Sequence, residues 1–231
     1  VVSGNFTLSG NINFVDQGLT DNEDAVDDPT DALVIGGDLI INGASTFSPA
    51  GGSIVFARNS GTRRVYNNTG RPLEFFKVEL DDERTRSGVP HTVFPDGTII
   101  KYTAIFSYGI WDGDLIFAKT GNALVKGGFE SYASGNITKI GKNKSFSFPT
   151  GGNDVLGSIA AKIPTDVQVS AKFNSKTGGY DQEHDGYPRW WNNNDMCDDS
   201  KDLNHVSNYE YWTLRANTTT TLTDLTFTAE A

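Results

Sequence analysis

Two stretches decide the fold: residues 36–57, GGDLIINGASTFSPAGGSIVFA, and residues 111–128, WDGDLIFAKTGNALVKGG. Each has a Gly-Asp-Leu-Ile run, a turn of small residues, and a second apolar run closed by glycines or alanine. Recurrence of such a unit marks a solenoid, where each turn buries its apolar face only by stacking on its neighbours. The residues around them read the same way. In 5–14, NFTLSGNINF, the apolar positions are Phe6, Leu8, Ile12 and Phe14, and further strands are expected at 38–41, 53–56, 75–80, 98–102, 114–118 and 123–125. Gly, Asn and Asp clusters separate them, and helical periodicity is nearly absent. The repeats are few and unequal in length, so a sandwich of ordinary hairpins is the competing reading for residues 1–140.

After Phe148 the pattern changes. Residues 157–163, GSIAAKI, and 166–173, DVQVSAKF, alternate cleanly and are expected to pair as half-buried antiparallel strands. A polar stretch over 174–204 follows, then strands at 209–214 and 222–229, the last placing Leu225, Phe227 and Ala229 on one side. The expected fold is all-β. A β-solenoid or irregular β-helix-like part spans 1–148 and an antiparallel β-sandwich spans 149–231, as two portions or one continuous unit. The sandwich would cover the solenoid's end, an edge that otherwise invites aggregation.

Charge is placed unevenly. The first 57 residues hold eight acids and no Lys or Arg, whereas the whole chain carries −10. A net-acidic chain has no long-range attraction to nucleic acid or anionic lipid. Apolar runs such as 32–35 and 39–41 fall far short of the ~20 residues that span a bilayer, so membrane insertion is not expected. Cys197 is the only cysteine, so no internal disulfide is available and burial with ladder hydrogen bonds must hold the fold. Val1, without an initiator Met or a signal-like segment, reads as a processed end or the start of an excerpt.

Residues 129–152, FESYASGNITKIGKNKSFSFPTGG, and 206–214, VSNYEYWTL, form a motif pair. Together they resemble modules of large secreted cell-surface proteins of the Bacteroidetes. The resemblance covers the C-terminal half well and the N-terminal half in style. It implies an extracellular location, export by the type 9 secretion system, and a structural or adhesive role. The sorting domain of such proteins normally lies C-terminal to these modules, so an excerpt or a matured product is expected. Trp212 would then lie in the core with its indole N–H bonded to backbone. Phe146 and Phe148 would mark the junction of the two halves, and His205 would be structural.

Two constellations could carry chemistry. Residues 21–31 hold six carboxylates, which repel one another unless solvent or a hard cation offsets them. The spacing is not that of an EF-hand, and the readings are a solvated acidic loop or a calcium site using Asp24, Asp27 and Asp28. Residues 181–202 combine acids with Tyr187, Arg189, Trp190, Trp191 and Asn193. Rings beside amides and a guanidinium suit glycan stacking or a protein contact, where Trp, Tyr and Arg dominate energetics. Rings folded back over the core, with the acids solvating a long loop, are the alternative, and metal binding by the acids is a reading that overlaps the first.

Catalysis is not expected. GxSxG, HExxH, phosphate-loop and CxxC patterns are missing, and His91, His184 and His205 are scattered. Cys197 has no neighbouring cation to favour a thiolate. Parallel β-helix enzymes place acids on adjacent turns of one face, whereas these acids cluster in two loops. The expectation is a non-catalytic extracellular structural or adhesive module whose partners are surface glycans, other surface proteins or copies of itself. A self-assembling subunit of a filament or sheath, joined through donated edge strands, is one alternative. A polysaccharide-binding or polysaccharide-active protein is the other.

Overall fold

A computed structural model describes residues 1–11, 13–14, 32–47, 52–57, 62–81, 91–128, 130–152, 155–175 and 210–230. Among them every regular element is a β-strand, and the N-terminal body is a β-solenoid of about four turns. The turns are counted on the first face, where one parallel line of register runs Ala32, Ser53, Lys77, Thr103, Asn122. Successive circuits therefore take 21, 24, 26 and 19 residues. On that face the side chains alternate. Leu33, Ile54, Val78, Ala104 and Ala123 form one inward stack, and Ile35, Phe56, Leu80, Phe106 and Val125 form the next. A parallel ladder repeats side chains at the strand spacing of about 4.8 Å, so stacked apolar positions exclude water along the whole axis.

The second face stacks Arg63, Thr92, Trp111, Ala133 and Thr150 inward, all buried. Arg63 is tolerated inside because its Nε donates to Thr92 Oγ1 at 2.8 Å and its Nη1 to the Ile35 carbonyl at 3.0 Å. Its guanidinium also lies 5.4 Å from the Phe56 ring centroid. Phe56, Phe75 and Phe94 meet edge to face, and Phe94 stacks on Trp111 with centroids 3.6 Å apart. On the third side, Phe6–Leu8, Leu39–Asn42 and the second part of Thr62–Asn68 pair in the lower turns. Higher up, residues 98–100, Leu115–Phe117 and Ile137–Ile140 take the same place in the circuit. One strand, Thr98–Asp112, passes through all three sides of a turn, and Gly109 with φ 115° lies along it.

Parallel stacking ends at Ile137–Ile140, which pairs antiparallel with Gln168–Ser175, and that strand with Glu210–Ala216. A second antiparallel sheet holds Lys144–Phe148, Gly151–Gly152, Val155–Ile163 and Thr223–Glu230. This corrects one expectation. The strands at 157–163 and 166–173 do not pair with each other; the turn at Pro164–Val167 sends them into different sheets. Alternation told which face each strand buries, not which neighbour it takes. Phe146, Phe148, Ile159, Ile163, Val169 and Ala171 join the same contiguous core as the solenoid turns. The expected bond of Trp212 is present: its Nε1 donates to the Gly157 carbonyl at 2.9 Å. A Cβ on Gly157 would sit 2.6 Å from the Phe173 ring, which fills that space.

Candidate functional site

The residues expected to bind a ligand, Tyr187, Arg189, Trp190, Trp191 and Asn193, lie outside the described residues, as do Asp24, Asp27 and Asp28. Among the described residues no three His, Cys, Asp or Glu side chains gather as metal ligands. What the fold does bring together are polar side chains at one corner of successive turns.

Both Gly-Asp-Leu-Ile runs build the same device. The Asp38 N–H donates to Asn5 Oδ1 at 2.9 Å, and Asp38 Oδ1 accepts the Arg64 backbone N–H at 2.8 Å. Higher up, the Asp114 N–H donates to Asp96 Oδ1 at 3.1 Å, and Asp114 Oδ1 accepts the Asn136 N–H at 2.8 Å. Asn136 Nδ2 adds bonds to both Asp114 oxygens at 3.1 Å. Each carboxylate thus satisfies a backbone donor that the corner would otherwise leave without a ladder partner. Asp96 and Asp114 do stand on adjacent turns, an arrangement hidden by their separation along the chain. A milder ladder runs from Asn68 Nδ2 to Asn42 Oδ1 at 2.8 Å and from Asn42 Nδ2 to Ser9 Oγ at 3.2 Å.

One cluster has titratable partners. His91 Nδ1–H donates to Asp112 Oδ2 at 2.8 Å, and Ser134 Oγ–H donates to Asp112 Oδ1 at 2.5 Å. The three stand on three successive turns. Partial burial pushes the Asp112 carboxyl up, but the His91 and Ser134 hydrogen bonds and the His91 charge together leave it below its ordinary value. Its carboxylate is therefore a joint acceptor holding the turns together, and the serine faces the acid and not the imidazole. That order differs from a nucleophile–base–acid relay, in which the base bonds the nucleophile. Two further inter-turn pairs are Glu79 with Ser107 and Glu130 with Tyr108, each hydroxyl donating to the carboxylate.

Lys139 points inward. Its Nζ donates to the carbonyls of Ala118 and Gly121 at 2.6 Å and of Lys119 at 3.1 Å, and lies 5.4 Å from the Phe146 centroid. Desolvation, with the nearby Lys142 charge, pushes its amine down to about 8. In the strand ITKI the alternation already put Lys139 with Ile137, but an inward lysine is rare enough that pattern reading passes it by.

On the outer surface the rings of Phe76 and Tyr102 lie parallel within 3°, centroids 5.0 Å apart, and Lys77 Nζ lies 5.5 Å from the Tyr102 centroid. Tyr102 is 40% exposed. Beside it Lys101 pairs with Glu74. This is the described surface best suited to a ligand with a flat apolar face.

No protein-family model matches the chain, and comparison with curated proteins and with solved structures gives no match either. The class defined by its own coordinates is an all-β protein built on a β-solenoid.

Proposed function

We propose that this chain is a non-catalytic extracellular module with a structural or adhesive role in a bacterial cell-surface protein. In this reading the solenoid is a stiff spacer and residues 149–231 form an antiparallel β-sandwich over its end. The observation that carries it is the use made of the polar side chains at the corners. Asp38, Asp96, Asp112 and Asp114 each accept hydrogen bonds from a neighbouring turn. Stacked acids in this role stiffen the rod instead of meeting a substrate. The motifs at 129–152 and 206–214, with their resemblance to Bacteroidetes surface modules, supply the cellular setting. Limited proteolysis and antibody labelling of intact source cells test it: surface labelling with loss of attachment on gene deletion is expected. Purely cytoplasmic protein would sink the reading.

A second reading, a self-assembling subunit of a filament or sheath, draws support from Thr223–Glu230. Among the described residues this strand pairs on one side only, with Val155–Ile163, and it leaves Leu225 47% and Phe227 56% exposed. A long edge with apolar side chains is a template for another chain. Negative-stain electron microscopy of the native protein separates the readings, since regular fibres support assembly and dispersed particles support the module.

A further inference from the structure

We propose that Phe76 and Tyr102 form a stacking platform for an uncharged sugar, flanked by a polar row of Ser53, Lys77, Thr103 and Asn122. The proposal rests on the adhesive reading and gives it a ligand class. The platform is made by a register shift. Ile100 pairs with Phe75 and Thr103 with Lys77, so the long strand fits two residues, Lys101 and Tyr102, against Phe76 alone. Such a bulge re-aims side chains, and here both extra residues turn outward and are exposed. The Tyr102 ring then lies flat on Phe76, which fixes it before any ligand arrives and lowers the entropy cost of binding.

A pyranose presents on one face a set of C–H bonds with positive partial charge, which complements the negative face of an aromatic ring. Its hydroxyls need donors and acceptors around the rim. Ser53, Lys77, Thr103 and Asn122 follow one line of register on successive turns, about 4.8 Å apart, and none is buried. A glycan laid along the solenoid axis with one ring on Tyr102 would meet a hydrogen-bonding group at each turn. The Lys77 ammonium lies over the Tyr102 ring, 5.5 Å from its centroid, and has no carboxylate partner among the described residues. Its donors are therefore available to the hydroxyls of a sugar at that ring.

Charge selects a neutral ligand over an acidic one. Locally Lys77 and Lys101 are matched by Glu74 and Glu79, the first acid paired with Lys101 and the second bonded by Ser107. Globally the chain carries −10, which repels polyanions.

Native affinity electrophoresis of the full chain tests this, in gels holding dextran, mannan or hydroxyethylcellulose, with alginate as the acidic comparison. Retardation is expected in at least one neutral gel. Tyr102→Ala should raise the dissociation constant about tenfold or more, the equivalent of ~1.4 kcal/mol. Tyr102→Phe keeps the ring and should keep the retardation, and Lys77→Met should weaken it by a smaller factor. Melting temperatures of all three variants verify that they fold; should Tyr102→Ala not fold, unchanged retardation in Lys77→Met together with an Asn122→Ala variant is the overturning result. Equal retardation of Tyr102→Ala and the parent, retardation in alginate alone, or none in any neutral gel also overturns the proposal. A chain found on the cell surface yet not retarded would remove the platform and leave the module reading intact.

Discussion

The two Gly-Asp-Leu-Ile corners share a tetrapeptide and a task but differ in what surrounds them. At Gly37–Asp38 the capping side chains are neutral Asn5 and acidic Asp38, and the acceptor serves one donor, the Arg64 N–H. At Gly113–Asp114 two carboxylates stack, Asp96 below Asp114, and Asp114 receives three bonds from Asn136. Both corners lie between neighbouring strands, Asn5 and Arg64 flanking the lower one and Asp96 and Asn136 the upper one. The same local sequence is thus a light clasp at one level of the stack and a denser one higher up. The corner motif sets the geometry of the turn, and its neighbours set how much it contributes.

Replacement of the glycines should widen this difference most. Gly113 has φ 124° and an added Cβ would lie 2.5 Å from the Phe94 carbonyl oxygen, so Gly113→Ala meets both strain and backbone. A loss of about 3 kcal/mol in urea unfolding is expected. At Gly37 the added Cβ would run into Asn5 Oδ1 and lie 2.6 Å from the Gly4 carbonyl carbon, but φ there is not in the left-handed region, so crowding acts without backbone strain. Gly37→Ala should cost about half as much, and equal losses would show that the two corners are energetically alike. Asp114→Ala removes three bonds and should cost roughly 2 kcal/mol, against roughly 1 for Asp38→Ala, by denaturant midpoint. A larger effect at Asp38 would reverse the ranking drawn above.

Two pH experiments probe groups at and above the upper corner. Lys139, with its amine pushed down to about 8, is protonated in the unfolded chain up to about 10.5. Between those values the unfolded state holds more protons, so stability should rise with pH, by at most about 1.4 kcal/mol per unit. Below about 8 the contribution is constant. Lys139→Met should flatten that rise in a series of urea titrations, and an unaltered slope would assign the rise elsewhere. Asp112 has a lowered carboxyl, so its contribution is present above the ordinary carboxylate range and lost as pH falls through its folded value. Asp112→Asn should therefore reduce the acid sensitivity of the melting temperature by a small amount, the smallest effect in this set.

Much of the architecture could be read from residues alone. The two repeats announced stacked turns because glycines and β-favouring residues recur in the same order, and 157–163 showed its buried face by alternation. Two strands of the second face did not announce themselves. Thr62–Asn68 puts Arg63 inward beside Val65, which breaks an apolar pattern, and His91–Val93 is only three residues long. The strand expected at 98–102 covers only the start of Thr98–Asp112, which runs on through Gly109 to the glycine corner at Gly113. The candidate platform was hidden for a different reason. Phe76 and Tyr102 meet only because one circuit of 26 residues separates them, a spacing that no periodic signal in the residues announces.

The reversal at Gln168–Ser175 carries a consequence for assembly. A stack of parallel turns has a polarity, like an arrow, and identical molecules could extend it only by placing one tail on another's head. On the third side the head of this stack is a strand pointing the other way, already bonded to Ile137–Ile140 and to Glu210–Ala216. The arrow is blunted at one end. On this side the parallel ladder offers no free strand for a second copy to continue, so the one-sided strand Thr223–Glu230 is the described edge at which a filament contact is to be sought.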